Sequence, residues 1–506
     1  MKINQLKAGA VLSYAQTFLA AAVSLLYTPV MVRLLGQNEY GVYGIAASVT
    51  AYLGILHFGF GSSYIRYYAQ YRKDEDEKGI ARLNGLFFIV FTCLGLLVLA
   101  AGFILAANQR LIFGDGLTDS ELHTTKILIC ILTCSMAVSF PCSVFVSYIT
   151  ANERFVFQKL VNMIKTVIGP LATLPVLLMG YKSVAMVIVS AACALLADLM
   201  NLFFCLHKLH MRVSFRGMQL RPLREVAAYS GFIALNSIID QINWNVDKLL
   251  LGRFHGSAVT AVYNLAAQVN TLYCNFSTSI SSVFIPRVHK LEQERQDKEL
   301  SGLFARVGRI QFMILSCICL GFIFFGRMFM TRIYGGPAYG ESYYVALLLI
   351  LPATIPLVQN LGIEMQRAKN KHRFRAILYT FMAGCNLGLS IVLCQRFGAV
   401  GSALGTAISL VVANGVIMNI YYHKALGIDI LYFWKQILII LPALIAPAGF
   451  GLLYMFLIPK ESLLLYLICG IVFLVIYALS LWKFGMNAYE KNLILGPLKR
   501  LLRIKR

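Results

Sequence analysis

Apolar runs of about 20 residues, the length that crosses a lipid bilayer, recur along this chain between short breaks rich in charge, Gly or Asn. In the first half they fall at 9–32, 41–63, 83–107, 124–149, 158–180 and 183–206. In the second half they fall at 226–252, 257–285, 308–330, 343–365, 376–395, 399–422, 436–458 and 463–482. The pattern predicts an all-α polytopic membrane protein of about 14 transmembrane helices. Two breaks are only a few residues long, Gly180-Tyr181-Lys182 and Arg396-Phe397-Gly398. The segment before the first run, Met1–Lys7, imitates a signal peptide, but the run is long enough to be read as a span. Outer loops are short, the longest being about Asn108 to His123, which leaves no extramembrane domain to carry a catalytic site.

Composition narrows the class further. The 506 residues are 59% hydrophobic and 13% charged, against roughly 25% charged in soluble domains, with a mean hydropathy of +0.72. A soluble multidomain enzyme would lack the polar residues to cover its surface. The net charge of +23 raises nucleic acid as a partner, and the positions of the charges answer it. With the N-terminus placed inside and residues near span ends counted with the adjoining segment, inner segments hold 34 Lys and Arg, outer loops nine, and the span interiors two. That is the positive-inside bias of a membrane protein with both termini in the cytoplasm, and nucleic acid is not needed to explain it. Clusters at 208–224, 367–375 and 499–506 read first as topology determinants, with anionic headgroups as secondary partners. The tail from Tyr489 to Arg506 reads as a basic amphipathic helix lying on the inner face. The run 73–78, four acids flanked by Lys73 and Lys78, reads as a solvated loop.

All twelve Cys fall within or at the ends of runs, and none forms a CxxC pair in a loop, so neither a metal site nor a disulfide framework is expected. There is no phosphate-binding loop and no catalytic constellation. His57, the one His away from a loop, reads as a packing residue. Pro29, Pro141, Pro170, Pro175, Pro352, Pro356 and Pro442 lie within or near spans, where they kink helices and suit hinges as well as static bundles.

The halves repeat. Leu35-Gly36 and Val42-Tyr43 are matched by Leu251-Gly252 and Val262-Tyr263; Arg154-Phe155 by Arg373-Phe374; and Gly180 before Ser183 by Gly398 before Gly401-Ser402. Six spans per half is an even number, so the halves enter the membrane from one side as parallel repeats with a substrate site at their interface. The expected domains are a six-helix bundle at 1–206, a basic cytoplasmic linker at 207–225, a second bundle at 226–422, and two further helices with a basic tail at 423–506.

Ionisable residues at membrane depth face bundle interiors or wet cavities. Six occur here: Lys165, Asp198, Asp240, Asp247, Lys248 and Glu364. In the seventh span Asn236, Asp240, Asn243 and Asp247 follow a 4-3-4 spacing that lines one helix face. Gln241, Asn245 and Lys248 form a second stripe, with Trp244 between. In the eighth, Asn264, Gln268, Thr271 and Asn275 repeat the spacing. Amides of this kind also glue helices together; two stripes in succession favour a hydrated cavity lined by amides, hydroxyls, Tyr and Trp, chemically suited to sugars. Lys165 and Asp198 lie at matching depths, which reads either as an ion pair locking spans five and six or as a point charge for a phosphate. Glu364 is close enough to the inner surface to reach it. Arg33 and Arg66 are interfacial and flank the entrance to a cavity.

The stretch Tyr27-Thr28-Pro29-Val30-Met31-Val32-Arg33-Leu34-Leu35-Gly36-Gln37-Asn38-Glu39-Tyr40-Gly41-Val42-Tyr43 resembles the entry motif of bacterial polysaccharide transporters. Phe58-Gly59-Phe60-Gly61, Arg66-Tyr67, Tyr71-Arg72 and Ala151-Asn152-Glu153-Arg154-Phe155 extend the match. The family is the oligosaccharide (O-antigen-type) flippases, in the superfamily that also holds multidrug exporters of the MATE type and lipid II flippases. The resemblance implies fourteen spans, two six-helix bundles, and translocation of undecaprenyl-pyrophosphate-linked oligosaccharide across the bacterial cytoplasmic membrane by alternating access. It implies no enzyme activity and no bound cofactor. Lipid-linked oligosaccharide and membrane lipids are the partners it implies, with a polysaccharide polymerase and glycosyltransferases nearby. A pyrophosphate calls for cations, which Arg33, Arg66, Lys165 and Lys248 supply; Asp240 and Asp247 then suit coupling to a proton, Na⁺ or the membrane potential. A cation-coupled multidrug exporter would instead use Asp240, Asp247 and Trp244 against cationic drugs, usually with twelve spans. A membrane glycosyltransferase or polymerase would need a large outer loop or an acidic catalytic pair, and the sequence offers neither.

Overall fold

The computed structural model describes residues 5–57, 60–217, 238–239, 241–371, 373–457 and 462–503, and these contain helices and no strand. The first half holds α1 (Gln5–Leu35), α2 (Gln37–Leu53), α3 (Phe60–Lys73), α4 (Glu77–Ala107), the short α5 (Gln109–Phe113), α6 (Asp119–Ala151), α7 (Phe155–Leu178) and α8 (Ser183–His207). A helix over 241–254 follows as α9. Then come α10 (Gly256–Gln293), α11 (Asp297–Met328), α12 (Ser342–Val358), α13 (Leu361–Ala368), α14 (Arg373–Leu410) and α15 (Met418–Leu426). The chain ends with α16 (Ile430–Leu438), α17 (Ile445–Leu457), α18 (Leu463–Ser480) and α19 (Ala488–Arg503).

Ten helical stretches among the described residues are long and apolar enough to cross a bilayer, and eleven if α12 and α13, bent by 42°, make one span. The stretch Arg373–Leu426 covers two expected spans, and its backbone leaves the helical region at Gly398 (φ 54°), where the sequence breaks them. The seventh expected span lies partly outside the described residues, at 226–237 and 240. The eighth, α10, is continuous over 38 residues, but its dense Asn, Gln, Ser and Thr keep it out of the ten. Fourteen spans thus stands as an expectation from sequence.

The duplication is written into the backbone. Left-handed residues end helices where the chain must reverse, Gly most readily. Gly36, Glu75, Gly114, Glu153, Gly180 and His210 have positive φ, and so do Gly256, Arg295, Gly336, Asn370, Gly398 and Gly427, each 217–222 residues further on. The sequence motif pairs Gly36 with Gly252; the backbone pairs it with Gly256 (φ 79° and 84°). Gly252 lies inside a helix, so a matching Leu-Gly dipeptide is not a matching turn.

The chain forms two compact units, Met1–Asn264 with Leu387–Ser402, and Leu265–Asn386 with Ala403–Arg506. In the first, Tyr64, Tyr68, Phe87, Phe91, Phe145 and Tyr148 pack as one aromatic cluster. Its buried hydroxyls are satisfied: Tyr64 donates to Asn84 Oδ1 at 2.6 Å, and Tyr68 to Asn152 Oδ1 at 2.9 Å. Asn84 Nδ2 in turn donates to the carbonyl of Arg212, tying the first part of the linker to α4; the rest of the linker, 218–225, lies outside the described residues. His57 stacks on Phe91 and meets Phe140 edge-on, as a packing residue would. In the second unit, Phe325 packs against Tyr454 and Phe473. There Arg309, 3% exposed, joins α11 to the C-terminal segment. Its Nε and Nη2 donate to the two Glu490 oxygens at 2.7 and 3.0 Å, Nη1 to Gln436 O at 2.7 Å, and Nη2 also to Gly485 O at 2.8 Å.

Candidate functional site

The candidate site begins on α9. Asn243, Asn245 and Lys248 are half-buried and Trp244 is 42% exposed. Lys248 Nζ donates to Asn245 Oδ1 at 3.4 Å, and Asn245 donates to Gln241 Oε1, so the second stripe is a connected chain of polar groups. Tyr52 on α2 donates to the Gln241 carbonyl at 3.2 Å. Asn236 and Asp240 lie outside the described residues.

Asp247 does not share the wet face that its spacing with Asn243 predicts. It is 0% exposed, and its oxygens accept from Tyr263 on α10 at 2.5 Å and from Ser402 on α14 at 2.6 Å. A carboxylate at this depth is costly unless hydrogen-bonded, and the two hydroxyls supply those bonds. The carboxylate thereby joins three helices of the first unit.

On α10 the predicted stripe is open at one end: Asn264 and Gln268 are half-buried, Thr271 and Asn275 exposed. A second polar stripe, which the sequence reading missed, faces into the packing. Tyr273 shares a hydrogen bond with Thr354 at 2.7 Å, Ser277 donates to Leu357 O at 2.7 Å, and Gln311 Nε2 donates to Ser277 Oγ and Ser281 Oγ at 3.0 and 2.7 Å. Helix gluing and an open polar face therefore coexist on one helix. The residue types are alike on both sides, so only the Tyr and the buried Gln partner signal which side packs.

The candidate phosphate contacts sit on separate helices. Arg33 ends α1, Arg66 is on α3 and Lys165 on α7, all with exposed side chains. The Lys165–Asp198 lock is not formed: Asp198 accepts from Ser139 Oγ at 2.6 Å. Glu364 pairs with Arg367 at 2.7 Å, one helical turn along.

A further polar cluster of the first unit lies at the helix ends that the charge count assigns to the outside. Glu39 accepts from Ser183 and faces Lys182 at 3.9 Å. Glu121 forms a capping box with Thr118 and also accepts from Ser257. Backbones approach closely here: a Cβ on Gly41 would lie 1.9 Å from Ser257 O, and one on Gly256 2.7 Å from Gly116 O. Gly41→Val is expected to cost about 1–3 kcal/mol by overpacking, read as a lower midpoint of thermal unfolding in detergent. An unchanged midpoint would contradict this packing. The signal in the sequence is Gly41 itself, a small residue of the kind that lets membrane helices approach closely.

Comparison with known proteins places this architecture. The family model described as polysaccharide biosynthesis protein matches residues 6–292. The chain belongs to that family. It is similar to a Shigella flexneri protein provisionally named an O-antigen transporter, 20% identical over 394 residues that cover 75% of this chain and 89% of the relative. Among solved structures it resembles the lipid II flippase MurJ in an inward closed conformation, with a TM-score of 0.73 at 16% identity over 92% of this chain and 98% of the other. It also resembles an inward-facing multidrug resistance MATE family transporter of the MOP superfamily, with a TM-score of 0.63 at 15% identity over 84% and 99%. This member of the polysaccharide biosynthesis protein family therefore has the polytopic all-α fold seen in those two structures.

Proposed function

We propose that this protein flips undecaprenyl-pyrophosphate-linked oligosaccharide from the inner to the outer leaflet of the bacterial cytoplasmic membrane, by alternating access and with both termini in the cytoplasm. The observation that carries the reading is the predicted polar stripe of α10, exposed at Thr271 and Asn275 and lying opposite the polar stripe that packing consumes. Asn264, Gln268, Thr271 and Asn275 offer donors and acceptors to sugar hydroxyls, and the exposed Trp244 on α9 offers a face for a sugar ring. Lys248, Arg33, Arg66 and Lys165 supply cations for the pyrophosphate. Residues 1–206 and 226–422 act as the two repeated bundles, with 423–506 appended. Asp247, with Asp240, holds the coupling proton or Na⁺. Glycosyltransferases act before the transport step and a polymerase after it.

Burial of Asp247 under two hydroxyls weighs against a drug exporter, which would present the carboxylate to a cationic substrate. In a deletion strain, lipid-linked oligosaccharide is expected to accumulate on the cytoplasmic leaflet with its sugar chain intact; accumulation of unpolymerised repeats outside would sink the proposal. Lys248→Gln removes one point charge at a partly buried site and is expected to slow transport about tenfold, the effect of losing ~1.5 kcal/mol from a charged hydrogen bond. Initial rates with a pyrophosphate-linked and a monophosphate-linked substrate check it, the first being the more affected.

A further inference from the structure

The end of the last span interleaves aromatic and basic side chains. Trp482, Lys483 and Phe484 are exposed beyond α18, and Tyr489 and Leu493 are exposed on α19. Lys483 Nζ lies 5.2 Å from the Phe484 ring centroid, Lys491 Nζ 5.7 Å from that of Trp482, and the Arg306 guanidinium 5.7 Å from that of Tyr489. Residues 481–506 carry seven Lys and Arg and a single acid, Glu490. That acid is 4% exposed and bound to Arg309, so it offers no negative charge to the surface. Glu490 also closes the start of α19: Asn487 N donates to Glu490 Oε2 at 2.8 Å, and Glu490 N to Asn487 Oδ1 at 2.9 Å.

We propose that α19 is an interfacial helix that binds anionic phospholipid headgroups, fixed at its first turn by the Arg309–Glu490 clamp. Aromatic rings with a polar neighbour settle at headgroup depth, and a basic segment beside them is attracted to anionic lipid. The exposed Trp482, Phe484, Tyr489 and Leu493 give the surface an apolar component that a lipid interface accepts and that an acidic protein surface, the other candidate occupant, would leave unmatched. The inference rests on the membrane placement proposed above. Its test does not depend on which side the tail occupies, because a nanodisc carries the same lipids on both faces, and it does not read transport.

The full chain is placed in nanodiscs of phosphatidylcholine, with or without phosphatidylglycerol, and hydrogen exchange is followed over 486–506. At ~1 kcal/mol per engaged cation, exchange is expected to slow about fivefold for each one in the anionic disc. High salt abolishes the slowing, and so does the triple substitution Lys499→Gln, Arg500→Gln, Arg503→Gln. Equal exchange in the two discs overturns the proposal and leaves an acidic protein surface as the occupant. Slowing that survives both salt and the triple substitution overturns it as well. The comparison of lipids and salt uses the unaltered chain, so it stands even if the variant folds poorly.

Discussion

Arg309→Met is expected to destabilise the folded protein by about 3–5 kcal/mol, because it leaves the Glu490 carboxylate buried without its partner. The guanidinium bonds both carboxylate oxygens and two carbonyls at once, so α11, α16, the segment after α18 and α19 all depend on it. Arg309→Lys is expected to rescue little, since an ammonium cannot reproduce the planar fork. The double substitution Arg309→Met, Glu490→Leu is expected to recover most of the loss, because a buried ion pair replaced by apolar groups is often nearly neutral. Thermal unfolding of the three variants in one detergent decides it. Recovery by lysine, or none in the double variant, would contradict the clamp.

Asp247→Asn is expected to lower the transport rate by about tenfold or more and to remove its dependence on the coupling ion. The amide keeps one acceptor for Tyr263 or Ser402, so the fold survives, but charge-assisted hydrogen bonds worth about 1.5–3 kcal/mol are lost. With charge and proton exchange both removed at one site, rate and ion dependence should change together. Initial rates measured against Na⁺ concentration and pH in proteoliposomes read both. A variant that transports like the parent with the same ion dependence would remove Asp247 from the coupling role.

Most of the architecture was legible because membrane helices announce themselves by run length, and the breaks at Gly180 and Gly398 coincide with left-handed turns. The duplication was legible as well, though its register needed the backbone to replace Gly252 by Gly256. What sequence spacing could not resolve was which of two polar faces is open. Asn243 and Asp247 share a stripe by arithmetic, yet Asp247 is buried because hydroxyls 16 and 155 residues away converge on it. Arg309 and Glu490, 181 residues apart, looked like ordinary basic-side and tail charges. Lys165 and Asp198 matched in depth, but Ser139, a residue with no local signal, took the carboxylate.

Transbilayer movement by the purified protein is the most direct measurement. Liposomes containing the protein and an undecaprenyl-pyrophosphate-linked oligosaccharide are probed with a sugar-degrading enzyme added outside. Flipping predicts that the inner-leaflet pool becomes degradable at a rate that rises with protein content and falls in Asp247→Asn. An inner pool that stays protected while the protein is folded and an ion gradient is applied would contradict the proposed function.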